Sequence, residues 1–134
     1  MSPWLDMLLR LLLATALGAG IGYQRERAHK AAGLRTHILI SLGAALFTVV
    51  SIFGFSGTVD PSRVAAGVVA GVGFIGAGVI FRGMSGEGVA GLTTAASIWA
   101  TAAVGLAAGA GMYLIAVIAA LIALGVLMIP RTRG

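Results

Sequence analysis

The sequence predicts an all-α, polytopic bundle of about five transmembrane helices, and three observations predict it. Hydrophobic residues fill 59% of the 134 positions and charged residues 10%, against roughly 45–50% and about 25% in a soluble domain. A soluble core of this length cannot hide so much apolar surface, because such a domain still exposes about a third of its unfolded-chain surface. The apolar residues also gather into stretches close to the roughly 20 residues a helix needs to cross the hydrocarbon layer. Finally, the stretches do not alternate with period two. Lipid forces backbone groups to pair within a segment, so helices are favoured over barrel strands. An ordinary cytosolic enzyme, a disordered tail and a disulfide-stapled secreted domain are excluded, the last because the chain has no Cys.

The expected spans are 3–23, 38–55, 64–81, 89–110 and 112–129, in one transmembrane domain covering 1–134. Asp6 and Arg10 interrupt the first apolar run, which is therefore a poor cleavable signal. This span carries Ala14, Gly18 and Gly22 four residues apart. The second is an apolar run with few polar interruptions. Before the third, Asp60-Pro61 reads as an N-cap followed by Pro at the first helical position, with Arg63 in reach of Asp60 or lipid phosphate. The third carries Gly67, Gly71 and Gly78 on one stripe and Ala66, Ala70, Gly73 and Ala77 on the next. The fourth has Ala95, Ala102, Gly105 and Gly109. The tight interval near Gly109-Ala110-Gly111 implies an antiparallel hairpin into the fifth, which Pro130 and the Arg131-Thr132-Arg133 tail end. Small residues four apart let helix backbones approach closely, which in lipid replaces the missing hydrophobic drive. Each interior Gly costs about 1 kcal/mol relative to Ala; the stripes are read first as tight packing within one bundle, and more sharply as marking span three as the central helix, a dimer seam or a hinge.

Net charge is +5 and the pI about 11.2. In a soluble protein that balance would suggest nucleic acid, but no basic patch here carries interleaved aromatics. Basic residues flank hydrophobic spans because they orient them and meet anionic lipid. Arg25, Arg27, Lys30 and Arg35 lie after span one, Arg82 after span three, and Arg131 and Arg133 after span five. An odd number of spans puts all of these on one side, which predicts N-terminus out and C-terminus in.

Polar groups able to carry function are few. Asp6 and Arg10 stand at i and i+4, the favourable order for a helical ion pair. Glu26 is the one acid among the basic residues of the first loop; it is read as solvated, or as part of a network with Arg35, Arg82 and Glu87. His29 and His37, eight residues apart, are a weak metal signal. His37 and Ser41 lie one turn apart without an acid or a nucleophile elbow, so no catalytic site and no enzyme is expected. Thr94, Ser97 and Thr101 share one face of span four. Their hydroxyls bond back to their own helix, face another helix or line a hydrated cavity. The run from Arg82 to Gly88 is too glycine-rich for helix and lacks the Lys of a phosphate loop. No metal site or cofactor is expected. The expected partners are the bilayer and either a second copy or another membrane protein.

Five blocks carry a resemblance. They are Gly18-Ala-Gly-Ile-Gly22 with Gln24-Arg-Glu-Arg27, Ala32-Gly-Leu-Arg-Thr-His37, Asp60-Pro-Ser-Arg63, Gly71-Val-Gly-Phe-Ile-Gly-Ala-Gly-Val-Ile80 and Gly91-Leu-Thr-Thr-Ala-Ala-Ser-Ile-Trp99. In this order they resemble the MgtC/SapB family of bacterial inner-membrane proteins, over about residues 8 to 129. The resemblance implies a five-span hydrophobic domain and a link to low magnesium, acid stress and, in some bacteria, survival in phagocytes. Members are often labelled magnesium transporters; for the better-known ones the resemblance implies regulation of other membrane proteins, including the ATP synthase. Gly67 stands where the family pattern has a Gln. The resemblance is closer to the short, SapB-like form, which is expected to lack a soluble cytoplasmic domain.

Two functions are weighed. One is a regulator acting through helix faces, the other a Mg²⁺ transporter or channel. Mg²⁺ wants octahedral oxygen ligands and gives up water reluctantly. The four acids, Asp6, Glu26, Asp60 and Glu87, all fall near span ends, whereas ion paths are usually marked by ionisable groups inside the membrane. The regulator is the favoured expectation.

Overall fold

The computed structural model describes residues 2–55, 57, 60–83 and 91–130, the side chains of 81–83 excepted. Five helices follow in order: α1 (Pro3–Arg27), α2 (Leu34–Phe53), α3 (Ser62–Gly83), α4 (Leu92–Gly109) and α5 (Tyr113–Leu127). No strand occurs among the described residues. Four helices are long and apolar enough to cross a membrane, and α5 is shorter at 15 residues. It nevertheless runs the depth of the bundle beside α1. Tyr113 at its start bonds Asp6, and the Leu127 carbonyl at its end accepts from Gln24 Nε2. The step of 18 positions along α1 from Asp6 to Gln24 rises about 27 Å.

Helix ends follow local chemistry. Ser2 Oγ accepts from Leu5 N–H, with Pro3 opening α1. The same helix runs four residues past the expected end. It closes with Lys30 N–H bonded to Arg25 O and His29 N–H to Glu26 O, while His29 takes a left-handed φ of 56°. Gly111, at φ 83°, does the equivalent for α4: Met112 N–H bonds Ala107 O and Gly111 N–H bonds Ala108 O. This makes the tight α4–α5 hairpin. Ahead of α3, Asp60 Oδ1 accepts from Ser62 N–H and Ser62 Oγ, with Pro61 between them. Arg63 beside it is exposed.

Those hydrogen bonds from Ser62 hold the Asp60 carboxyl below the ordinary aspartate range. A lowered folded-state pKa contributes stability that is present above the unfolded value near 4 and is lost as pH falls through the folded value. The protection of the Ser62 amide, the slowing of its exchange relative to an unstructured amide at the same pH, should therefore fall on acidification through that window. In Asp60→Ala that protection should be low at every pH. An amide equally protected in Asp60→Ala would remove Asp60 as the cap.

Successive helices run in opposite directions. Ala14 and Gly18 of α1 meet Ser41 and His37 of α2. Ser41 and Ala45 of α2 meet Gly105 and Gly109 of α4, so α2 and α4 are parallel. Gly76 of α3 faces Ala95 of α4. One end of the bundle thus gathers Asp6, Arg10, Phe53, Asp60, Gly109 and Tyr113, and the other Arg25, Gly33, Thr94 and Leu127.

The centre of the bundle is α4, which packs on all four other helices and buries Thr94, Ala95, Ser97, Ile98, Thr101, Ala102, Val104, Gly105, Ala108 and Gly109. This corrects the expectation that span three is central: α3 touches α4 and, weakly, α2. A Cβ added at Gly67, Gly71, Gly73 or Gly78 would meet nothing within 4 Å, and neighbouring Phe74 is 82% exposed. The glycines that pack are elsewhere. At Gly18 a Cβ would stand 2.8 Å from His37 O, at Gly22 2.9 Å from Leu34 Cα, and at Gly105 2.2 Å from Ser41 O. Small residues are needed where two helix backbones come close together, and glycine count alone does not say where that is.

Candidate functional site

Polar side chains concentrate at the two ends of the bundle. At the first, the Arg10 guanidinium of α1 reaches α2 and α4 as well as its own helix. It donates to Asp6 Oδ2 at 2.9 Å and to Gly109 O at 2.9 Å, and lies 4.9 Å from the centre of the Phe53 ring. The cation thereby meets the carbonyl end of α4, where the helix dipole favours positive charge. Tyr113 Oη donates to the other Asp6 oxygen. Both carboxylate oxygens of Asp6 are thus engaged within the protein, one of them in an ion pair with Arg10. A Cβ on Gly111 would fall 2.9 Å from Arg10 Nη2, so this turn needs glycine for space as well as for φ.

The second cluster lies between α1, α2 and α4. Arg25, expected in a loop, sits in the last turn of α1 and is only 2% exposed. Its Nη2 donates to Thr94 Oγ1 at 2.8 Å. Ser97 Oγ donates to Thr94 O at 2.7 Å and stands 2.9 Å from His37 Nε2. His37 Nδ1 lies 2.8 Å from Gly33 O. A carbonyl only accepts, so that nitrogen carries a proton. Thr101 Oγ1 donates to Ser97 O, and Ser41 Oγ donates across the helix pair to Ala14 O. The Thr94–Ser97–Thr101 face therefore both bonds back into α4 and meets charged or polar groups of α1 and α2.

Glu26 does not pair with Arg35. Its Oε1 accepts from Leu34 N–H at 2.9 Å and caps α2, whose own cap position is Gly33 and offers no side chain. A Cβ on Gly33 would collide with that carboxylate oxygen. Arg35 is exposed. Arg82 and Glu87, proposed partners of Glu26, lie outside the described side chains, as does the loop through Gly88.

His37 is fully buried and committed to Gly33 and Ser97, whereas His29 is an exposed helix-end residue. No group of three or more His, Cys, Asp or Glu that could hold a metal occurs among the described residues. The His37–Ser97 pairing was not visible in sequence. The only signal was that both are polar residues in otherwise apolar helices, 60 positions apart.

An apolar bundle with an arginine cluster at each end, buried around Arg25 and half-buried around Arg10, is the architecture of a small multi-helix membrane protein. The MgtC family matches residues 11–133. The chain belongs to that family. It is 50% identical over 115 residues to the putative magnesium transporter YhiD of Escherichia coli K12, covering 81% of this chain and 53% of that protein. Protein MgtC of Brucella abortus is 47% identical over 122 residues, 90% of this chain and 50% of the relative. Protein SapB of Bacillus subtilis is 45% identical over 115 residues, 81% and 49%. The chain thus spans about half the length of these relatives. No solved structure matches it.

Proposed function

We propose that the chain is a non-enzymatic regulatory protein of the bacterial inner membrane that works by binding a membrane partner, or a second copy of itself, in magnesium limitation or acid and stress adaptation. The observation that carries this reading is the face between α2 and α3. There a groove of about 660 Å³ is lined only by apolar residues, among them Leu39, Phe47 and Ile75, and by Gly43, Gly67 and Gly71. A Cβ at any of these three glycines would meet nothing within 4 Å. Open glycines on both walls let a further helix approach closely.

A Mg²⁺ path is the alternative, supported by the name of the YhiD relative, a putative magnesium transporter. Among the described residues no group of three or more His, Cys, Asp or Glu offers it a site. Mg²⁺ needs a set of oxygen ligands that usually includes carboxylate. Asp6 is committed to Arg10 and Tyr113, and the hydroxyls of Ser41, Ser97 and Thr101 are committed to backbone carbonyls. In the proposed orientation the Arg25–Arg35 end faces the cytosol, with the N-terminus outside and the C-terminus inside.

The chain has no Cys, so Gly71→Cys supplies a single reactive position. In native membranes it should crosslink to itself or to one defined membrane protein. Proteoliposomes of the purified chain should take up Mg²⁺ no faster than protein-free vesicles. Uptake that depends on the protein and is lost in Asp6→Asn or Thr94→Ala would replace the regulator with a transporter.

A further inference from the structure

A second cavity, of about 720 Å³, opens where the carboxyl ends of α1 and α5 meet the start of α4. Its polar side is Gln24, Arg25, Lys30 and Thr93, and its apolar side is the end of α5 from Val126 to Pro130. No carboxylate lines it among the described residues. Glu26, the acid nearest in sequence, is turned to the Leu34 amide instead.

Helix carboxyl ends carry partial negative charge and attract cations, but here their carbonyls are already served. Leu127 O accepts from Gln24, Arg25 O from the Lys30 amide, Leu124 O and Gly125 O from Met128, and Val126 O from Ile129. The Lys30 ammonium makes no hydrogen bond or ion pair among the described residues. The left-handed turn at His29 folds the chain so that Lys30 lines the cavity. Gln24 Oε1 is buried without a hydrogen-bond donor. On the apolar side Val126, Met128 and Ile129 are each more than half exposed, so this wall opens toward the bilayer.

We propose that this cavity binds the headgroup of an anionic phospholipid. Lys30, with Thr93, holds the phosphodiester. A headgroup hydroxyl donates to Gln24 Oε1, and the glycerol and upper acyl chain lie along Val126–Ile129. Basic pockets between membrane helices are suited to this chemistry. A free phosphate ion would use the polar side alone and gain nothing from the apolar wall. The inference stands independently of the choice between regulator and transporter.

The test is native mass spectrometry of the purified full chain in detergent with equimolar phosphatidylglycerol and phosphatidylcholine. One well-placed lysine gives a preference of about five-fold for the anionic lipid. The wild type should show it, Lys30→Glu should bring it to parity, and Arg35→Glu, the same charge change outside the cavity, should keep it. Thr93→Val, which leaves the charges in place, should weaken it. Excess inorganic phosphate should leave the lipid bound. Four results would each overturn the proposal: parity in the wild type, an unchanged preference in both Lys30→Glu and Thr93→Val, equal loss in Arg35→Glu, or displacement by inorganic phosphate.

Discussion

Gly105→Ala is expected to be the most damaging single-methyl change in the protein, destabilising it by about 3 kcal/mol, the upper part of the usual range for overpacking. The added carbon would stand 2.2 Å from Ser41 O and 2.8 Å from Ser41 Cα. Those are backbone atoms, which no rotamer change can move aside. Relief requires α2 and α4 to separate, and the same seam holds Gly109 against Ala45 and Thr48. The change would also pull Ser41 away from its bond to Ala14 O on α1. Gly71→Ala is the control: its Cβ meets nothing within 4 Å, and the better helix propensity of Ala should stabilise by up to about 1 kcal/mol. Denaturant titration of both variants in micelles measures the contrast. Equal stability of the two would refute the assigned seam.

Thr94→Val should cost about 2 kcal/mol. Valine keeps the shape but removes the hydroxyl that accepts from the buried Arg25 guanidinium, and hydrogen bonds to charged groups contribute roughly 1.5–3 kcal/mol. Arg25→Met alone should also destabilise, because it leaves the Thr94 hydroxyl without this donor in a site 4% exposed. With both changed, the pair is replaced by apolar groups and part of the loss returns. The double-mutant cycle should show a coupling of about 1–2 kcal/mol. Strict additivity would mean that Arg25 and Thr94 do not interact in the folded protein.

Much of this fold is legible in the sequence, since lipid leaves the backbone little choice. The apolar stretches located all five helices, although α1 runs on through the charged residues to Arg27 and α2 begins four residues early at Leu34. Charge misled there: a helix end tolerates arginines in its last turn because they complement the dipole. The Thr94–Ser97–Thr101 face was readable from its spacing. Its partners Arg25 and His37 were not, because they come from other helices and from positions that look like loop. Glu26 drew attention as an acid among cations, yet its partner is the Leu34 amide, a backbone group no side-chain pattern records.

What the sequence determined by itself is the solvent and the count: too many apolar residues for water, in runs of helical length, with cations gathered after alternate runs. What only the tertiary structure decided is which helix stands in the middle. Span three has the richest glycine stripe, but α4 holds the centre and the α3 glycines Gly67, Gly71, Gly73 and Gly78 face outward. A small residue permits close approach without saying which neighbour comes. That neighbour is selected jointly by the shape of every helix and by the cross-links from Arg10, Arg25 and His37.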